Sequence, residues 1–318
     1  MKRIVQILHL LLVMCLFQCS QNNREVYLFS YFKGNGEDGL HLAYSYDGYK
    51  WIALKNDRSF LKPEAGQAKL MRDPCIIQGP DGLFHMVWTV SWREKGIGYV
   101  NSPDLINWSE QKYLPVMEHE PDAVNCWAPE IFYDEEKQQY LIFWSTTIPG
   151  RFPETDYQNN TGTKGQGHNH RIYYLTTKDL KEFSETQLFY DAGFNVIDAT
   201  IIKADSHYIM FIKDETNKPF TPQKNIRMAT SDRAEGPYGL TSSPITGEYW
   251  AEGPTVIKIN DTWHLYFDKY RLKQYGLLIS NDLKNWLDKS DDLDYPEDLR
   301  HGTVFKISEK LFQSLLSE

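Results

Sequence analysis

The stretch "NSPDLINW", residues 101–108, reads as a tight turn that closes on an aromatic side chain. Ser, Pro and Asp each favour turn conformations, and the Trp that follows needs an apolar surface to cover it. The pattern recurs. "YSYDGYKW" (44–51), "TTKDLKEF" (176–183), "TSDRAEGPY" (230–238) and "ISNDLKNW" (279–286) bring the number of copies to five. Self-similarity at this spacing is the signature of a repeat architecture.

Short alternating segments precede these turns, among them "GIGYV", "RIYYL", "NIRMA" and "YGLLI". Each reads as a strand. Ahead of these stand more apolar strands, "YLFSYF", "FHMVWTV", "YLIFWS", "YIMFI" and "WHLYF". A leading strand opens each unit: "RDPCII" (from 72), "APEIFY" (128), "IDATII" (197), "EGPTVI" (252) and "HGTVFKI" (301). The first copy lacks its leading strand at the N-terminus, while "HGTVFKI" has no strands after it. Giving "HGTVFKI" to the first copy completes five four-stranded sheets. The expected fold is therefore all-β, a five-bladed β-propeller closed by pairing of the N- and C-terminal strands. Residues 20–318 show no linker or shift in composition and read as a single domain.

Bulk composition agrees. A hydrophobic content of 41% in 318 residues suffices for a large core, and 14% aromatic residues suit strands. The net charge of −9, with no basic stripe, argues against nucleic acid or an anionic membrane surface as partner. A neutral substrate fits better. Residues 1–19 carry Lys2 and Arg3 ahead of an apolar run from Ile4 to Phe17, which reads as a signal peptide. Cys19 stands where a bacterial lipoprotein would be cleaved and lipidated. The expectation is an exported monomer in the periplasm or at the cell surface, touching the membrane only through a lipid anchor at Cys19. Cys75 and Cys126 have no metal-site spacing and could form one disulfide, but are expected as buried thiols.

Equivalent leading strands line the central channel, so their first residues meet at one mouth. Aligned there, they read Asp73, Ala128, Asp198, Glu252 and His301. Three carboxyls sharing a narrow, partly dry space repel, so at least one is expected to keep its proton up to neutral pH. With no metal cluster, phosphate loop or Ser-His-Asp pattern elsewhere, converging acids suit glycosidic bond cleavage. Glu252, with the longer reach, is the expected general acid and Asp73 the general base. Asp198 is expected to orient Glu252 and favour its protonated form. Acid and base on separate blades would stand roughly 6.5 to 9.5 Å apart and admit a water, which implies inversion at the anomeric carbon.

"RDPCII", "WAPEIFYD", "VIDATII", "AEGPTVIK" and "RHGTV", in this order, resemble the blade motifs of glycoside hydrolase family 43. That family comprises five-bladed inverting enzymes acting mainly on arabinofuranosides and xylosides. The resemblance implies the same roles for Asp73 (base), Asp198 (tuning acid) and Glu252 (acid). It matches His301 to a histidine that contacts a central ion or water near the substrate. No cofactor is expected to be required, and a calcium ion or a water beside His301 is what the resemblance allows. Glu130 departs from the family pattern, where Asp is commoner.

Loops between the second and third strands should share a face with these acids. They are "FKGNGEDG" (32–39), "VSWREKG" (90–96), the long 146–170 stretch, "KDETNKPFTPQKN" (213–225) and "DKYRLKQYG" (268–276). They nominate Trp92 and Trp127 for stacking on a sugar, Arg271 for hydroxyl contacts, and Asp38 as an inward-projecting acid. His168 and His170 have no third ligand at metal-site spacing, so no metal is expected. The long loop would narrow the pocket and favour removal of a terminal sugar. α-L-Arabinofuranose is the first candidate, with β-D-xyloside and β-D-galactofuranoside as alternatives. The rival from another class is a silent, glycan-binding propeller, which would have no reason to keep three acids.

Overall fold

Alternation along one strand builds two interfaces at once. Val26 and Leu28 point to one side and Tyr27, Phe29 and Tyr31 to the other, all of them buried. The first set packs with Ile76, Phe84 and Met86, and the second with Ile259 and Tyr266. Each sheet thus buries both faces against its two neighbours. Five such apolar clusters, one in each gap between blades, account for the core of the described residues.

The protein is described by a computed structural model over residues 25–155, 168–218 and 220–317. The expected signal peptide, Cys15 and Cys19 lie outside the described residues, as does the middle of the 146–170 stretch. Blade two contains strands Arg72–Gln78, Phe84–Thr89, Ile97–Ser102 and Lys112–Leu114, paired antiparallel in that order. Blade three contains Trp127–Asp134, Gln139–Thr147, His170–Thr177 and Gln187–Tyr190. Blade five contains Glu252–Ile259, Thr262–Lys269, Gln274–Ser280 and Leu287–Asp288. Blade one is closed as expected. Strand Thr303–Ile307 pairs with Val26–Tyr31, from Val26 opposite Ile307 to Ser30 opposite Thr303, and His41–Ser45 and Ile52–Ala53 follow.

Blade four departs from the expected four strands. It has three, Val196–Ala204, His207–Asp214 and Asn225–Ser231. The chain beyond still follows its edge, with Gly239, Ser242 and Ile245 donating backbone N–H groups to Thr230, Met228 and Ile226. The return bonds come from side chains: Ser242 Oγ accepts from Met228 N at 3.0 Å and Thr246 Oγ1 from Ile226 N at 3.1 Å. Pro237 and Pro244 have no N–H to offer, so this stretch lies along the sheet without becoming a ladder strand. A second difference is the short helix Glu309–Leu316 after the closing strand, capped by Ser308 and burying Phe312 and Leu315. Phe312 packs against Tyr44 of blade one, ring centres 4.7 Å apart. Cys75 and Cys126 are free and buried, and burial pushes both thiols up.

The repeated turns owe their shape to two side chains. In blade one Ser45 Oγ accepts from Gly48 N at 2.9 Å, and Asp47 Oδ1 from Tyr49 N and Lys50 N at 2.8 and 3.0 Å. Ser102 with Asp104, Thr177 with Asp179 and Ser280 with Asp282 repeat the arrangement. Burial works against the charge of Asp47, but the N–H donors of Lys50 and Tyr49 outweigh it and lower its carboxyl. Such a group stabilises the fold above its unfolded pKa and stops doing so as pH falls through the lowered value. Asp47→Ala should therefore cost about 0.5 to 1 kcal/mol in urea unfolding at pH 7. The difference from wild type should shrink at pH 3, and a constant difference would argue against this role.

Candidate active site

Four leading strands break their register at the same place. Arg72, Trp127, Ile197 and Glu252 pair normally, and pairing resumes three residues later, leaving a bulge between. The first residue of each bulge is left-handed: Asp73 (φ 51°), Ala128 (45°), Asp198 (52°) and Gly253 (60°). Outside glycine this conformation costs on the order of 1 to 2 kcal/mol per residue, and bulges of this kind re-aim a side chain. At Gly253 a side chain is barred twice, because a Cβ there would stand 2.4 Å from the His301 ring.

This register corrects the sequence alignment. Asp73, Ala128 and Asp198 share a repeat position with Gly253, whereas Glu252 sits one residue earlier, level with Arg72, Trp127 and Ile197. The three acids nevertheless meet. Asp73, Asp198, Glu252 and His301 line one cleft of ≈ 340 Å³, together with Trp92 and Trp127. Glu252 reaches it from the strand residue just before the bulge, and Asp73 and Asp198 from within theirs.

Hydrogen bonds tie each acid to a different neighbour. Thr89 Oγ1 donates to Asp73 Oδ2 at 2.8 Å and accepts from Ala128 N at 2.8 Å, joining blades two and three. His301 Nδ1 stands 3.3 Å from Asp73 Oδ1. Asp198 Oδ2 accepts from Gly253 N at 2.9 Å, so it holds the backbone beside Glu252 rather than the Glu252 carboxyl. Lys213 Nζ donates to Glu252 Oε2 at 2.9 Å, and Arg300 Nη2 lies 3.3 Å from Oε1. Arg300 Nε also donates to Asp268 Oδ2 at 2.6 Å.

The acids are driven apart in proton affinity. Burial works against Asp73, but the hydrogen bond and charge of His301 prevail and hold it down at about 2. Burial, aided by the charges of Glu252 and Asp73, pushes Asp198 up to about 6 against the pull of His301 and Lys213. Glu130, wholly inside the protein, is pushed by burial up to about 7 despite a hydrogen bond from Thr200. Burial opposes the charge of His301, yet Asp73, Asp198 and Glu130 together raise it to about 9. The carboxyl held highest is therefore Glu130, which is not one of the three that were singled out, with Asp198 next, and an imidazolium sits among them.

Of the expected sugar contacts, Trp92 and Trp127 line the cleft at right angles, ring centres 5.4 Å apart. Trp92 is 46% exposed and its indole N–H donates to Asn35 Oδ1 at 2.9 Å. The Arg72 guanidinium lies over its ring, 4.2 Å from the centre. Arg271 stands outside the lining and lies 4.4 Å above the ring of Trp250, which does line it. Asp38 also stands outside, with Oδ2 2.9 Å from Nε2 of the buried His41. His170 is buried between Asn125 and Asn195, and no three metal-ligating groups cluster among the described residues. Sequence reasoning missed Lys213, Glu215, Lys224, Trp250, Tyr270 and Arg300, all in the lining. Adjacency was the available signal, since Trp250 is two residues from Glu252 and Arg300 precedes His301.

Residues 22–312 match the family model of the glycosyl hydrolase 43-related group, whose description is "probable glycosyl hydrolase domain". The chain belongs to this family. A curated relative of this 43-related domain, an alpha-L-arabinofuranosidase of Bifidobacterium longum subsp. longum, is 28% identical over 253 residues. The match covers 66% of this chain and only 24% of that protein's length. Among solved structures, an alpha-L-arabinanase of Cellvibrio cellulosa in complex with arabinohexaose superposes with a TM-score of 0.58. It is 16% identical, covering 89% of this chain and 96% of that one. An alpha-L-arabinofuranosidase from Lactobacillus brevis gives a TM-score of 0.51 at 18% identity over 69% of this chain and 72% of that one. These likenesses establish the shared propeller fold of the 43-related domain.

Proposed function

We propose that the protein is an exo-acting, inverting glycoside hydrolase that releases terminal α-L-arabinofuranose. The observation that carries this reading is the meeting of Asp73 and Glu252, from blades two and five, in one small cleft walled by Trp92, Trp127 and Trp250. Indole faces suit the apolar faces of a sugar ring. A small cleft suits a chain end better than the middle of a polymer. The name of the curated relative supports arabinofuranose as the first sugar to test.

In this mechanism Asp73, ionised at working pH, accepts a proton from a water as that water's oxygen bonds to the anomeric carbon. Glu252 gives its proton to the departing glycosidic oxygen as that bond breaks, and proton exchange with solvent then resets both groups. Asp198 holds the backbone beside Glu252 in place. Beside His301 we propose a water in preference to a calcium ion. Calcium takes six to eight oxygen ligands, and an imidazolium paired with Asp73 repels a cation.

A screen of the purified protein against p-nitrophenyl α-L-arabinofuranoside, β-D-xyloside and β-D-galactofuranoside tests the sugar. Proton NMR of the first-formed product tests the stereochemistry. Arabinofuranoside cleavage with initial release of the inverted anomer is expected. Initial retention would refute the water-mediated roles. Binding without cleavage of these or natural oligosaccharides would favour the silent glycan-binding propeller.

A further inference from the structure

Behind Glu252 runs a row of alternating charges that the proposed chemistry does not use. Lys213 is 2% exposed in its side chain, and its Nζ stands 2.9 Å from Glu252 Oε2 and 2.7 Å from Glu215 Oε2. Glu215 accepts in turn from Lys224 Nζ, which also donates to the Glu215 carbonyl oxygen at 3.0 Å. The backbone carbonyl of Lys224 accepts from Ala251 N at 2.9 Å, so the row bends back to the residue beside Glu252. Lys213 belongs to blade four and Glu252 to blade five, and the ring of Tyr270 lies 4.7 Å from Nζ.

A buried ammonium with two carboxylates is held more firmly than one pair requires. Burial works against the charge of Lys213, but Glu252 and Glu215 keep it protonated far above its usual range. Glu215 is kept ionised against burial by Lys213 and Lys224. The charge of Lys213 is therefore divided. We propose that Lys213 and Glu215 form a positioning couple, in which Lys213 fixes the Glu252 carboxyl toward the cleft and Glu215, by sharing that lysine, sets how readily Glu252 releases a proton.

Other charged or titratable groups face Glu252 from the neighbouring elements. Asp198 faces it from the leading strand of blade four, and Lys224 from the foot of that blade's third strand. Asp268, Tyr270 and Tyr275 face it from blade five, and Arg300 from the chain before the closing strand. Among these Lys213 makes the closest contact with a Glu252 oxygen, and Glu215 is the carboxylate that competes for it.

The inference rests on the proton-donor reading of Glu252, and two variants give it a signed test. Removing the cation with Lys213→Met should let Glu252 keep its proton to higher pH, moving the basic limb of the kcat/KM profile up by about one pH unit. Glu215→Gln, nearly isosteric, leaves Lys213 to Glu252 alone and should move the same limb down by several tenths of a unit. Lys213→Arg should bring it back toward wild type. A purely structural brace would lower activity in both variants with the limb unmoved, and limbs that stay put or move together overturn the proposal. Should Lys213→Met not fold, Glu215→Gln still carries the sign. Carbon-13 NMR titration of glutamate-labelled protein reads the Glu252 carboxyl without turnover. Titrations that move oppositely in a protein with no hydrolase activity would sink the donor reading and keep the coupling, whereas a working hydrolase with unmoved titrations sinks the coupling alone.

Discussion

Glu252→Gln is expected to lower kcat on a natural arabinofuranoside by about 10²- to 10⁴-fold, the usual worth of a positioned proton donor. The size of the loss should depend on the leaving group. A sugar hydroxyl cannot depart without a proton, whereas p-nitrophenolate can, so the same variant should lose far less on the nitrophenyl glycoside. Steady-state kinetics on both substrates makes the comparison, and equal losses would remove Glu252 from the donor role. Stability should change little. The amide preserves shape, and Lys213, which would otherwise be left buried without an anion, keeps Glu215 at 2.7 Å. Arg300 likewise keeps Asp268. A collapse in melting temperature would mean that Glu252 acts chiefly as a counterion for those two cations.

The propeller was legible because its information is local and repeated. Each turn is written in adjacent residues, four of the five held by a Ser or Thr and the Asp two places after it, and strand alternation shows which side chains leave on each face, so five copies supply their own alignment. The blade-four exception was less visible, since Ser242 and Thr246 accept hydrogen bonds in place of backbone carbonyls and nothing in their spacing announces it. Glu252 shows the limit of alignment by motif. "RDP", "IDA" and "EGP" look equivalent with their acids superposed, but the left-handed position in the last is Gly253. The site was found because a bulge and the residue before it open into the same cleft. Long-range partners left little trace: Arg300 adjoins His301 and Lys213 opens the 213–225 loop, but nothing in the sequence pairs either with Glu252. Lys213 and Arg300 come to Glu252 from residues 39 and 48 positions away, and only the closed ring brings them within hydrogen-bond distance.

The closed ring also places His301 among Asp73, Asp198 and Glu130, and the second large effect follows from that. His301→Gln should destabilise the fold by about 3 to 5 kcal/mol near pH 6, because it withdraws the cation from carboxylates that are largely buried, Asp73 meeting solvent only through the cleft. In wild type, the pKa of His301 is raised in the fold to about 9. Its contribution is therefore whole below its unfolded pKa of about 6.5 and is lost as pH climbs through 9. Asp73, lowered to about 2, contributes above its unfolded value and fades only as pH falls toward 2. Glu130, raised by burial to about 7, is an acid of the opposite kind: its protonated form suits the fold, and it costs stability increasingly as pH rises from its unfolded value of about 4.3 to 7, above which the cost is constant. Urea unfolding should accordingly show a maximum in mildly acidic solution and a steady decline to pH 9, with a flatter alkaline limb in His301→Gln. Glu130→Gln separates the two sources of that decline. It removes a carboxyl that is largely neutral in both the folded and the unfolded chain at pH 4 and charged at pH 8, so it should leave stability nearly unchanged at the first and raise it at the second. Destabilisation at both pH values would instead make ionised Glu130 a needed partner of His301, and the alkaline decline would then belong to the histidine alone.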